Sequence, residues 1–436
     1  MEDIHVTKHD NFPSIEHTLR PISYTSWLMG VGIAHPLKCP KFVTIVIRII
    51  HLVMCTVFLT IFIRENVLTL SMNTIIHFGW VIVEMTYFVA AYYYIYHGIR
   101  QYDTWSELMD KMKELDRKIR KETHMNDQPV KIMKAVAILM TFVCCPLIPM
   151  VFSLCDFMSS YGDRVIESLS SYYMMAQSTI YSFFFGVVVY VMYYRYQTVN
   201  KMFGHLDKLS DAPLIALKIR RIRELHNDIC DLVMVINNIH SLYFLLCSAN
   251  CFAIATAGLC YGYVYFTNEF YVSALLHSIF PISVVYTMQF GLICWICKLA
   301  RQEFDKTKII MCAIALKYQS MNFDKLNDTR NKSSLEVRLS LEDADSGRNF
   351  NQSNSHDWNY VIMENLLCKI MTQDHVNTEI NGFLIQLQHR RVLFKACDFF
   401  EMNNNLFCGF VGVIFTYLII FIQFASEPKD LNENRT

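Results

Sequence analysis

Thr416-Tyr417-Leu418-Ile419-Ile420-Phe421-Ile422-Gln423-Phe424 closes a run from Leu406 to Phe424 that carries no charge. Such a run is long enough to cross the hydrocarbon layer, which takes ~20 residues at ~1.5 Å each. Thr416, Ile420 and Gln423 fall at i, i+4 and i+7 and share one helical face, with Tyr417 and Phe424 on the neighbouring one. An amide at membrane depth is costly against lipid, because its hydrogen bonds go unmet there. Two readings follow: Gln423 and Thr416 bond to a neighbouring helix, or they face water in a pore.

The rest of the chain suits a polytopic membrane protein. Its 436 residues are 53% hydrophobic and 18% charged, against ~45–50% and ~25% in soluble domains. The formal net charge is zero, so no strong field points to nucleic acid. Met1–Lys41 is polar and mixed and lacks the order of a cleaved signal peptide, so the first span is expected to act as the targeting signal. Most of the fifteen Cys lie in apolar runs, where they behave as small hydrophobes. Cys294-Trp295-Ile296-Cys297 stands alone and reads as packing; no metal or other cofactor is implied. There is no Gly-x-Ser-x-Gly, His-Glu-x-x-His or phosphate loop, so nothing positive suggests an enzyme.

Seven runs are long enough to span: Phe42–Ile63, Thr74–His97, Ile132–Leu154, Leu169–Tyr194, Leu242–Phe266, Val272–Leu299 and Leu406–Phe424. Connections after the first, third and fifth are short and carry only Arg64 and Arg164 as Lys or Arg. Those after the second and fourth are long and basic, with Arg100, Lys111, Lys113 and Arg117 among others in one, and Lys218, Arg220, Arg221 and Arg223 among others in the next. The positive-inside rule then puts the N-terminus inside and the C-terminus outside. A G-protein-coupled receptor has the reverse topology. Transporters show paired broken helices, which are not evident here.

The inner connections carry helical stripes. Trp105, Leu108, Met109, Met112, Leu115 and Ile119 form one; Ile215, Ile219, Ile222, Leu225, Ile229, Leu232 and Ile236 form a second; Val376, Ile380, Phe383, Leu384 and Leu387 form a third. Each needs an apolar partner. A packed cytoplasmic bundle is favoured over helices lying on the lipid surface. Gln319–Asp357, rich in Asn, Ser and Asp, reads as a disordered insertion.

Thr-Tyr, five residues, then Gln-Phe resembles the C-terminal signature of insect gustatory receptors, and every position matches. The approach to it resembles the family too: His389 to Val392, then Phe394-Lys395-Ala396-Cys397-Asp398-Phe399-Phe400, then Asn405-Leu406. So do Leu19-Arg20-Pro21 with Gly30-Val31-Gly32 and Pro36, and His226-Asn227-Asp228-Ile229-Cys230 with Asn237 and Asn238. The resemblance implies an all-α fold: a cytoplasmic segment 1–41, spans and their connections over 42–299, an anchor region 300–405 containing the insertion 319–357, a pore-lining helix 406–424 and an extracellular tail 425–436. It also implies a tetramer, homomeric or with other gustatory receptor subunits, in the plasma membrane of taste neurons. Thr416, Tyr417, Ile420, Gln423 and Phe424 would line or gate a weakly selective cation pore, with Phe rings dewetting the closed state. The family's sugar clade often has an acidic residue after Thr-Tyr. Leu418 stands there, which tilts the ligand towards bitter plant compounds, while fructose-type receptors also lack that acid.

A small-molecule tastant needs a pocket within one subunit, in the outer half of the bundle. His77, Trp80 and Glu84 in the second span, Tyr172, Tyr173 and Gln177 in the fourth, Thr256, Tyr261 and Tyr263 in the fifth, and His277 and Ser278 in the sixth are candidates. Interhelix bonding or interface anchoring is the competing role for each. Glu84 is the most telling, since a mid-span carboxylate costs about 2.5–3.5 kcal/mol by insertion scales. The nearest cation, Arg48, sits closer to the inner boundary and would need a long reach, so Glu84 is expected either to be protonated or to face a water-filled cavity, and the ligand cavity is the hypothesis taken for it.

Overall fold

A computed structural model describes residues 15–36, 39–67, 75–123, 125, 128–139, 165–204, 206, 211–267, 272–342 and 375–425. The described chain is helical apart from one two-stranded hairpin. Its elements are α1 (Ile15–Leu28), α2 (Lys41–Phe62) continued by a π-helical turn Ile63–Val67, α3 (Ile75–Arg100), α4 (Tyr102–Glu122), α5 (Gln128–Leu139), α6 (Val165–Phe203), α7 (Ala212–Thr267), α8 (Val272–Glu342), α9 (375–389), β1 (Lys395–Ala396), β2 (Phe400–Glu401) and α10 (Asn404–Ala425).

Among the described residues four helices are long and apolar enough to cross a membrane: Lys41–Glu65, Leu169–Phe203, Ala212–Leu259 and Ile282–Gln319, with Asn404–Ile420 a shorter apolar helix. The expected spans Thr74–His97 and Ile132–Leu154 fall partly on residues outside those described, while α10 covers the whole of Leu406–Phe424. Helices α6, α7 and α8 have 39, 56 and 71 residues, well beyond the ~20 a bilayer needs. The composition of Gln319–Asp357 suggests disorder from Gln319 onward, yet α8 runs on to Glu342. Its sequence has no Gly or Pro between Gly291 and Gly347, so nothing in the backbone breaks the propagating helix. Residues 343–357 lie outside those described.

The chain divides into two compact units. The first comprises Met1–Tyr194, Leu232–Ala300 and Leu393–Thr436; the second comprises Arg195–Asp231 and Arg301–Val392.

In the first unit, the stripe on α4 is buried throughout, from Trp105 to Ile119. Each such side chain contributes ~1.5–3 kcal/mol on leaving water. Trp105 packs its ring on Phe184 at 5.2 Å and donates its indole N–H to the His35 carbonyl at 3.0 Å. The N-terminal segment is more than a polar tail. Leu19, Ile22, Val31, Ile33 and Ala34 are buried, α1 lies against α5, and the His51 Nε2 of α2 contacts the Leu28 carbonyl at 2.8 Å. Prolines and mixed polarity conceal this in the sequence. Two glycines permit it. Gly30 and Gly32 have φ of +69° and +62°, and a Cβ on Gly32 would come 2.4 Å from the Tyr181 ring.

In the second unit, Ile219, Ile222 and Ile229 on α7 and Val376, Phe383 and Leu387 on α9 are all buried. His226 is packed edge-on to Tyr196 and Phe383 at 5.6 and 5.4 Å and tilted against Phe304 at 5.2 Å. Its Nδ1 meets Cys230 Sγ at 3.6 Å, and that thiol meets Tyr196 Oη at 3.4 Å. Arg223 pairs with Glu379 at 2.9 Å and Arg390 with Asp231 at 2.5 Å. The His-Asn-Asp-Ile-Cys motif thus builds a core.

Candidate ligand site and pore helix

The Phe394-to-Phe400 motif folds as the hairpin that leads into α10. Lys395 pairs with Glu401 and Ala396 with Phe400. Cys397 and Asp398 have φ of 47° and 61°, and Phe399 N donates to the Ala396 carbonyl at 2.9 Å, the geometry of a type I′ turn. Asp suits a left-handed position, and Cys pays some strain there. Buried Phe394 meets Phe185 edge-on at 6.0 Å, which seats the hairpin. Asn403 then caps α10, its side-chain oxygen accepting from Leu406 N at 2.9 Å.

Helix α10 is held at its beginning. Phe407 and Phe410 lie 6.1 and 5.4 Å from buried Phe290 of α8, and Phe252 of α7 meets Phe410 at 6.5 Å. Gly291 is pressed close, since a Cβ there would sit 3.1 Å from the Phe407 ring. Further along, every residue from Phe415 to Ile420 is exposed. The exposure runs right round the helix: Phe415 and Ile419 are as bare as Tyr417 and Ile420. Thr416 Oγ1 donates back to the Gly412 carbonyl at 2.9 Å. Gln423 is also exposed, and the Phe424 side chain lies outside the described residues. Among the described residues nothing covers this apolar segment, and an exposed apolar surface of this kind marks a contact with lipid or with further protein.

Of the ligand candidates, the structure brings two small groups together. Buried Glu84 on α3 accepts from Ser171 Oγ on α6 at 2.9 Å. One turn on, Tyr173 and Gln177 are joined, Gln177 Nε2 donating to Tyr173 Oη at 2.7 Å and to the Met29 carbonyl at 2.9 Å. Tyr173 also bonds to His51 Nδ1. Gln177 therefore braces the N-terminal segment. Tyr172 is buried in an apolar cluster with Val83, Tyr87, Met175 and Tyr286. Tyr87 and Tyr286 stack at 5.5 Å. His77 and Trp80 lie on α3, Tyr261 on α7 and His277 on α8, with side chains outside the described residues. Among the described residues, no group of three or more His, Cys, Asp or Glu could hold a metal.

The sequence reading missed a second polar knot. Gln289 of α8 donates to Ser178 Oγ at 3.0 Å and bonds to Ser182, which bonds to Tyr243 of α7; Tyr94 of α3 reaches Ser178 at 3.4 Å. Four helices meet there. The signal was available, because Gln289 is an amide within an apolar run, like Gln423. Phe290, the next residue, faces α10.

The model of a family described as "7tm Chemosensory receptor" matches residues 19–330 and 360–427. Among solved structures, the insect olfactory receptor OR5 from Machilis hrabei is similar at 11% identity and a TM-score of 0.53, over 93% of this chain and 97% of that one. The same receptor in complex with eugenol gives 11% and 0.52, over 94% and 97%. The chain therefore has the fold of that helical membrane receptor. No curated protein matches the chain.

Proposed function

The chain belongs to the 7tm chemosensory receptor family, which is not an enzyme family, and from that premise we propose that it is an insect gustatory receptor. In this reading it is a subunit of a tastant-gated, weakly selective cation channel in the plasma membrane of taste neurons. The observation that carries the reading is α10, packed by Phe290 and Phe252 at its start and bare from Phe415 to Ile420. Four copies around an axis would cover one side of that surface and leave another to water. Thr416, Tyr417 and Ile420 would then line the path, and Gln423 and Phe424 would gate it.

The tastant would sit in the first unit, near Glu84, Tyr173 and Gln177, with His77, Trp80, Tyr261 and His277 as further walls. Glu84 would act as a hydrogen-bond acceptor oriented by Ser171. The intact Thr-Tyr to Gln-Phe signature favours a gustatory over an olfactory subunit. Leu418 in place of an acid tilts the ligand slightly towards bitter plant compounds, with a fructose-type ligand the alternative, since those receptors also lack the acid.

Cells expressing this chain alone, given a panel of sugars and alkaloids, test the reading. Inward current is expected that persists with GDP-β-S in the pipette. Its loss under GDP-β-S would point to a metabotropic receptor and overturn the channel. Glu84→Ala, at normal surface expression, is expected to lose the ligand response; a retained response removes Glu84 from the site.

A further inference from the structure

Glu84 is 1% exposed. The runs Thr74–His97, Leu169–Tyr194, Leu242–Phe266 and Val272–Cys297 contain no Lys or Arg, and Glu84 is their one Asp or Glu. Arg48 of α2 is no substitute. Its guanidinium lies against Gly98, where a Cβ would come 2.4 Å from Nη1. Gly98 is fourteen positions from Glu84 on α3, ~21 Å along the axis at ~1.5 Å per residue. Whatever else touches Glu84, those four runs offer it no fixed cation. A buried carboxylate that stays ionised calls for a counter-charge.

The surroundings are aromatic. Tyr87 sits three residues on from Glu84, on the same face of α3. It is buried in one cluster with Tyr172 of α6 and Tyr286 of α8, and it stacks on Tyr286 at 5.5 Å. Ser171, next to Tyr172, donates to Glu84 Oε1 at 2.9 Å and fixes the carboxyl group beside these rings. The Tyr286 hydroxyl is buried and has no hydrogen-bond partner among the described residues. A buried polar atom of that kind is ordinarily met by something, here by a group from outside the chain. Aromatic faces attract organic cations within ~6 Å of the ring centre. They suit hard metal ions poorly, since those take shells of oxygen atoms.

We infer that this group selects a ligand carrying a protonated amine on an aromatic or apolar body. The inference rests on the reading of Glu84 as part of the ligand site and adds the chemical class. The ammonium donates to the Glu84 carboxylate and lies against the Tyr87 and Tyr172 rings. The Tyr286 hydroxyl takes up a further hydrogen bond of the ligand. A neutral polyol leaves the carboxylate without a counter-charge, so the site favours an alkaloid-like base over a sugar.

A ligand that binds only the folded state raises stability by mass action. The test is thermal unfolding of the full-length chain in nanodiscs near neutral pH. Phenethylamine and tryptamine are set against phenethyl alcohol and tryptophol, which carry a hydroxyl in place of the amine. The amines are expected to raise the midpoint at about 10- to 100-fold lower concentration, the difference one charge-assisted hydrogen bond makes. Glu84→Gln, which keeps the size and loses the charge, should remove that difference. Amines and alcohols that act alike on the wild type overturn the proposal, and so does a difference that Glu84→Gln keeps. Should that variant not fold, Glu84→Asp, which keeps the charge on a shorter arm, decides. An amine curve displaced to higher concentration, with the alcohol curve in place, supports the site; an unchanged amine curve overturns it. Currents from the same compounds and from sugars keep the two readings apart. Amines that stabilise the chain without opening it support the ligand class and remove the tastant-gated channel. Sugars that open it while the amines leave its midpoint unmoved overturn the ligand class and keep the channel.

Discussion

Asn237 on α7 accepts a hydrogen bond from the Lys395 backbone N–H at 2.7 Å, tying the hairpin before α10 to a helix 158 residues earlier. That contact gives the Asn237 of one motif a role in placing another. Asn237→Ala strands the half-buried N–H and should cost about 1–3 kcal/mol. Asn237→Asp keeps the acceptor and should cost less. Unfolding midpoints of the two purified variants, read by fluorescence-detected size exclusion, check the order.

Phe290 is the aromatic grip of α8 on α10. Phe290→Ala should destabilise by about 3–5 kcal/mol, as for other buried phenylalanines. Phe290→Leu should lose less and fold well enough to record. Reduced agonist-evoked current in Phe290→Leu, at equal surface density, is the expected outcome, because the start of α10 is then held less firmly.

Gly98 tolerates no side chain. A methyl there would lie 2.2 Å from the Gly32 carbonyl and 2.4 Å from Arg48 Nη1. Overpacking of this kind costs about 1–3 kcal/mol or more, so Gly98→Ala should fail to reach the surface. Gly186, where a Cβ would meet nothing within 4 Å, is the control, and Gly186→Ala should traffic normally. Surface biotinylation compares them.

His35 lies between α1 and α2, outside the spans, and is buried against Tyr102 in a stack at 4.1 Å. Burial holds its pKa below the usual value of 6.5; its bond to the Ile33 carbonyl offsets part of that, and the Arg48 charge adds to it. A depressed folded pKa means that the neutral ring contributes stability above pH 6.5, and that this is lost as pH falls below 6.5. The unfolding midpoint should therefore drop between pH 7.5 and 5. His35→Gln should flatten part of that drop.

The sequence disclosed the helices and their apolar stripes well, since 3.6-residue periodicity reports burial directly. Trp105 to Ile119 and Val376 to Leu387 needed no coordinates. The signature at Thr416 to Phe424 was also plain, because an amide in an apolar run is conspicuous. What stayed hidden depends on contacts distant in sequence. Nothing local in the sequence tells that Gln177, a pocket candidate, also holds the Met29 carbonyl of a segment that looks like a tail. His51 and Ser171 drew no notice because neither breaks a pattern. The helix through Gln319–Glu342 was hidden by composition, which weighs polarity and misses the lack of a breaker.

Thr416 commits its hydroxyl proton to the Gly412 carbonyl one turn back. What the exposed oxygen offers outward is then lone pairs and no proton. Any neighbour it meets, whether another helix or a solvated ion, is met by partial negative charge. If several copies turned this position inward, they would form an uncharged ring of acceptors, more hospitable to a cation than to an anion.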